Sequence, residues 1–378
     1  MFRNLNLSPM ETDRDLARIL TAEMDGLPLA LDQAGAYIEE QMLSLEEYRE
    51  LFQTEKAELL KQRGQLDPDH PSVTVTFTLA FEKVASANET AADLVRACAF
   101  LSPDAIPEEI FSGGAEALGE PLSRLADSQL ELTKAVAEAA RFSLIRRNPQ
   151  TKTLTIHRLV QEVLRGEMDT ERQTGWAEKV MQAVTAVFPN AEYENWVQCD
   201  RLLPHVQTTV QMILDHGLES ETSALLLSRA GDYFMQLGRY SEAEPLYVEA
   251  LRMRKRLLVP EHPDVALSLN NLAELYRSQG RYEEAEPLLV EALEMYNRLL
   301  GVEPPDVALG LNNLALLYRT HLRSFGFYGK MLGSVYSKCH GLFKQSDRFR
   351  MGNHRASVVR GVASEEDSSP GLELSRPY

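Results

Sequence analysis

The sequence predicts a mainly α protein that runs into an α-solenoid, and three observations predict it. One stretch repeats itself with a period of 42 residues, so that Gly238 matches Gly280. Apolar residues recur at helical spacing through most of what precedes it. A single short stretch alternates apolar and polar residues on both sides of a turn, which marks a lone β-hairpin. Hydrophobic residues make up 44% and charged residues 25% of the 378, ordinary values for a folded chain.

Residues 12–63 read as helices, one over Asp13–Met24 and one over Leu29–Glu40. Gly26 ends the first, and Pro28 suits the first turn of the second because the amide it lacks would be unbonded there anyway. Helices follow over Leu79–Ala85, Glu89–Phe100, a short run after Pro107, and Leu132–Ala140. The arms FSLIRR and KTLTIH flank the turn NPQT and make the hairpin, and a helix from Arg158 to Glu167 leaves it. In residues 172–222, WAEKVMQAVTAVF and CDRLLPHVQTTVQMILDHG are two amphipathic helices placed to cap the repeats.

The repeat itself is a helix pair. AGDYFMQLGRYSEAEPLYVEALRMRKRLLVPEHPDVALSLN is followed by NLAELYRSQGRYEEAEPLLVEALEMYNRLLGVEPPDVALGLN, and NNLALLYRT opens a third copy at Asn312. Leu269, Leu272, Ala273 and Tyr276 share one face of the first helix, and Gly280 ends it. Ala285, Leu289 and Ala292 give the second helix one face with small residues at both ends, and prolines in the VPEHPDV link stop it. After Arg319 the register fails: Leu322, Ser324 and Phe327 stand where Gly, Tyr and Ala are due. Residues 321–378 therefore read as a non-homologous, disordered tail, the product of a shifted frame, or else as a basic interaction arm. The half repeat before it, with Leu314, Leu317 and Tyr318 lacking a next helix, is expected to be exposed and to favour self-association.

Charge divides the chain. The total is 39 Lys and Arg against 56 Asp and Glu, a net of −17. Residues 320–378 hold nine against five, which leaves 30 against 51, a net of −21, for the first 319. A body that acidic is a poor holder of a polyphosphate backbone. No run approaches the roughly 18 apolar residues of a membrane span, and MFRNLNLSPMETDRD lacks the apolar core of a signal peptide. Three scattered cysteines, Cys98, Cys199 and Cys339, form neither a disulfide framework nor a zinc motif. The expectation is a reduced, cytoplasmic protein. Asp67, Asp69 and His70 in DPDH, and His262 with Asp264 in EHPD, read as loop or helix entries, not metal ligands; the next repeat carries Pro304 in place of His262.

The helix pairs resemble the tetratricopeptide repeat in its 42-residue kinesin-light-chain form. The matching positions are Leu272, Ala273, Tyr276, Gly280, Tyr282, Ala285 and Ala292, with Ala230, Gly231, Phe234, Gly238, Tyr240, Ala243 and Ala250 one unit earlier. The resemblance implies a concave face that binds a peptide or partner protein, here through Asn270, Asn271, Glu274, Arg277, Asn312, Asn313 and Arg319. The alternative is a solvated face in which Asn271 or Asn313 bonds between repeats.

Upstream, GLPLALDQAGAYI resembles the GLPLAL motif of NB-ARC-type (STAND) signalling ATPases, and TIHRLVQEVL matches the later strand–helix junction of that family. The resemblance places Pro28 beside an adenine and His157 at the β-phosphate of ADP, with Arg158 where the family has Asp. It implies a winged helix between them, and it points to a bacterial source. The expected order is a helical remnant (1–64), a winged helix with its small hairpin (65–170), a helical linker (171–225), tetratricopeptide repeats (226–320) and the tail (321–378). No GxxxxGK[ST] occurs, so a P-loop domain is expected to be lost, and with it catalysis and any firm cofactor. The favoured reading is a non-catalytic interaction scaffold. The alternative is an ADP/ATP-responsive switch, and a third is DNA binding through Lys134, Arg141, Arg146 and Arg147.

Overall fold

The computed structural model describes residues 11–24, 26–54, 73–300, 313–314 and 316–317. The chain divides into two compact units, Met1–Met295 and Tyr296–Tyr378. The first opens with α1 (Glu11–Glu23), α2 (Pro28–Glu40) and α3 (Leu45–Thr54). Leu20, Met24, Ala34, Ile38 and Phe52 close one small core, and Tyr48 stands between Tyr37 and Phe52 with ring centroids 5.9 and 6.2 Å away. Ser44 and Glu47 cap α3 reciprocally: Ser44 donates to the carboxylate at 2.8 Å, and the Glu47 amide returns to Ser44 Oγ at 3.2 Å.

Next come α4 (Val73–Ala87), α5 (Glu89–Cys98), β1 (Ile106–Pro107), α6 (Glu109–Ser112), α7 (Ala115–Leu118) and a 3₁₀ turn at Leu122–Leu125. They are followed by α8 (Gln129–Arg141), β2 (Ile145–Asn148), β3 (Thr153–Ile156) and α9 (Arg158–Gly166). The sheet runs β1-β3-β2, antiparallel throughout, with Ile145 opposite Ile156 and Ile106 opposite Leu154. The hairpin lies where alternation placed it. β1 was not expected, since two residues carry no periodicity. Glu108, buried just after β1, accepts two bonds from Arg147 at 2.6 and 2.9 Å and ties that segment to β2. Val73 of α4 and Leu159 of α9 join the core of α1–α3, so the opening helices are anchored on this part of the chain.

Then follow α10 (Thr170–Val187), α11 (Trp196–His216), α12 (Glu221–Gln236), α13 (Tyr240–Leu257), α14 (Pro263–Ser278) and α15 (Tyr282–Leu300), whose end lies in the second unit. The small residues of the repeat motif, Ala230, Ala243, Ala250, Ala273, Ala285 and Ala292, are all buried, as close helix packing requires. Gly238 and Gly280, at φ +72° and +77°, end α12 and α14 in the same left-handed turn, and the next amides reach back to Phe234 O and Tyr276 O at 2.8 Å. Arg239 and Arg281 fold over those same rings, 4.7 and 4.0 Å from the centroids, and pair with Glu242 and Glu284. Arg281 also reaches Glu244 on α13 at 2.8 Å. Buried Arg254 donates to Ser228 at 3.0 Å and Ser268 at 2.6 Å, pinning α12, α13 and α14 to one another.

In the second unit, Leu314 and Leu317 lie in helical backbone and are each only 1% exposed. This corrects the expectation that Leu314 and Leu317 are exposed: three residues apart, the two leucines share one face, and that face is turned inward. Tyr318 and residues 321–378 lie outside the described residues, as do Asp67, Asp69, His70 and Cys339.

Candidate functional site

The expected polar face belongs to α14, and the structure divides it. Asn270 is buried, against expectation. Four residues before it stands Ala266 and three after it Ala273, both fully buried, so the helical period carries Asn270 inward with them. Asn271 and Glu274 do face the open side. Arg277 folds back onto Glu274, donating through Nε at 2.7 Å and through Nη2. Asn313 is half-buried, while Asn312 and Arg319 lie outside the described residues.

Asn271 and Glu274 line a cavity of about 270 Å³ with Asp232 and Gln236 of α12, Tyr247 of α13 and Glu192 from the segment before α11. Its chemistry centres on Asp232. Tyr247 donates its hydroxyl to Asp232 Oδ1 at 2.7 Å, and Asn271 donates to the same oxygen at 3.3 Å, from the following repeat. The bond between repeats was the alternative reading of Asn271, and it is present. Burial pushes the Asp232 carboxyl up, while the Tyr247 bond and the charges of Arg254 and Arg229 pull it down. Burial and the adjacent Asp232 push the Tyr247 hydroxyl up. Gly231 makes room for that ring, because a Cβ there would lie 2.8 Å from Tyr247 Cε1. The rim is built by α11 and the segment before it: Trp196 Nε1 donates to Gln236 at 3.0 Å, and Gln236 bonds the Ala191 carbonyl.

Asp232 was missed, yet it was legible: one period of 42 residues before Glu274 stands Asp232. Glu192 lies outside the repeat, and no pattern pointed to it.

The two positions expected around a nucleotide each stand at the start of a helix. Pro28 is exposed as the first residue of α2. His157 precedes α9 and caps it, its Nδ1 accepting the Leu159 amide at 3.1 Å. Their segments meet through the shared core, to which Ala30, Ala34 and Leu159 all belong. His262 caps α14 in the same way, accepting the Asp264 amide at 3.2 Å. Of the residues expected to hold DNA, Lys134 pairs with Glu131 at 2.8 Å, Arg141 with Glu138 at 3.5 Å and Arg147 with Glu108. Cys98 and Cys199 are buried, and burial pushes both thiols up. Among the described residues no helix is long and apolar enough to cross a membrane.

The tetratricopeptide repeat model matches residues 221–298 and 270–323, and a domain of unknown function (DUF7779) matches 80–173. A nucleotide-binding leucine-rich repeat (NLR)-like protein of Hyaloscypha variabilis is 30% identical over 265 residues, 66% of this chain. The chain spans 25% of that relative's length. Among solved structures, BtubC (BKLC) from P. vanneervenii is similar at 18% identity and TM-score 0.36, over 81% of this chain and 96% of that one. A STAND protein with a tetratricopeptide repeat sensor from Pyrococcus horikoshii follows at 12% identity and TM-score 0.20, over 85% and 62%. With the repeat model matched over 221–323, the chain contains tetratricopeptide repeats, and over 265 residues it is similar to an NLR-like protein.

Proposed function

We propose that this chain is a non-catalytic scaffold that binds an extended segment of a partner protein on the face formed by α12 and α14. The observation that carries the reading is the cavity: it opens between two successive repeats, and it is lined by amide, carboxylate and hydroxyl groups that can pair with a peptide. A winged helix over α4–β3 and the opening helices would hold the repeats at a fixed position in a larger signalling assembly. Phosphate cradling is not written into these 378 residues, which contain no GxxxxGK[ST]. The test is affinity capture with the full chain and with Asn271→Trp, which fills the cavity. The captured set should be lost in the variant, and an unchanged set would sink the reading. Calorimetry with ADP separates it from the nucleotide-switch alternative, since micromolar binding would favour the switch.

A further inference from the structure

We propose that the cavity takes a cationic side chain, an arginine or a lysine, carried on the extended segment of the partner; this deepens the scaffold reading and rests on it. Glu192, Asp232 and Glu274 bring three carboxylates to the lining, and no lining residue carries a cation. Arg277 neutralises Glu274, whereas neither Asp232 nor Glu192 has a salt bridge among the described residues.

Asp232 is poised to accept one more donor. Its Oδ1 takes both the Tyr247 and the Asn271 bonds, and its Oδ2 accepts from no described residue. The two arginines nearest in charge are held elsewhere: Arg229 on the carbonyls of Thr185 and Phe188 at 3.0 Å, and Arg254 on Ser228 and Ser268. A half-desolvated carboxylate with one open oxygen is stabilised most by an incoming charged donor.

The rim supplies a second and different attraction. Tyr193 and Trp196 form an aromatic pair with centroids 5.4 Å apart, and Tyr193 is 82% exposed. Trp196 is bonded to Gln236, itself part of the lining, so the aromatic pair borders the cavity. Guanidinium and ammonium groups are drawn to aromatic faces, and guanidinium also stacks on them. An acidic segment or a chain-terminal carboxylate would meet like charge at the same place.

The experiment is an array of 12-residue random-sequence peptides probed with the full chain, Asp232→Asn and Glu192→Gln. Asn can still accept the Tyr247 hydroxyl, and thermal melting checks that both variants fold. Retained peptides should be enriched in arginine or lysine. The best of them, remeasured by fluorescence anisotropy, should bind each variant about tenfold more weakly and lose affinity as salt rises. Peptides retained without basic enrichment would overturn the inference and leave the scaffold reading standing. Basic peptides bound equally by all three proteins would overturn it as well. An array that retains nothing would overturn both readings.

Discussion

His205 sits on α11 with no exposed surface, its Nε2 donating to the Ala105 carbonyl at 3.3 Å and its Nδ1 meeting no partner among the described residues. Burial holds its pKa down, from the ordinary 6.5 to about 4, against a smaller opposing effect of the Ala105 bond. The ring is neutral when folded, so it costs nothing above pH 6.5. As the pH falls toward 4 the unfolded chain takes up a proton that the folded chain refuses, and stability drops by about 3 kcal/mol. His205→Gln keeps a donor for Ala105, and its Tm should fall less steeply than that of the natural protein across this window. Parallel melting curves would clear His205 of the effect. Single residues were also where the sequence was hardest to read. His157 and His262 look alike as candidate ligands, yet both accept an amide two residues on, a role that any cap residue can fill. Asn270 and Asn271 are adjacent and chemically identical, and only their phase on α14, 100° apart, sends one inward and the other to the cavity.

Elements were far more legible. The helices of the repeats, the hairpin and the two capping helices were all readable, because each spans enough residues to show a period; β1, two residues long, does not. Nor does a period reveal where backbones touch. A Cβ on Gly114 of the α6–α7 turn would meet Ile110 O at 2.6 Å and Ala183 O at 2.7 Å, both main-chain atoms that cannot swing aside. A Cβ on Gly231 would meet the ring of Tyr247 first, at 2.8 Å. Gly231→Ala should therefore cost about 1–3 kcal/mol, with the ring displaced and its bond to Asp232 weakened. Gly114→Ala should cost more, because α7 itself must move away from α10. Urea unfolding of both variants checks the order, and a milder effect at Gly114 would contradict the backbone contact.

For the molecule as a whole, the packed stack extends upstream of the repeats that begin at α12. Phe188 meets Tyr233 edge to face at 6.5 Å, Tyr233 donates to Asp200 at 2.5 Å, and Arg229 holds the carbonyls at the end of α10. A fragment that starts at Thr170 should fold and melt cooperatively, while one that starts at Glu221 should lose most of its helicity, since two repeats are short of the roughly three that sustain a stack. Circular dichroism on the two fragments decides it, and equal helicity would show that α10 and α11 are dispensable. The sequence hinted at this cap through amphipathic spacing alone. The contacts that make it part of the stack come from residues whose partners lie some 30 to 45 positions away, beyond the reach of local pattern.

The arginine of the Gly-Arg-Tyr turn has a consequence for how such a protein can change over generations. Arg281 grips Glu244, and both belong to the 42-residue text that is copied, as Arg239 and Glu286 stand one period away from each. A duplicated unit thus arrives with a hook at its leading turn and an eye on its trailing helix, already matched to its siblings. Unequal exchange between copies could lengthen or shorten the array in whole units without any compensating substitution at the new joint. Removing residues 239–280 in frame is the laboratory version of that event: it sets Arg281 after Gly238 in the register of Arg239, with Glu284 still beside it as Glu242 stands beside Arg239.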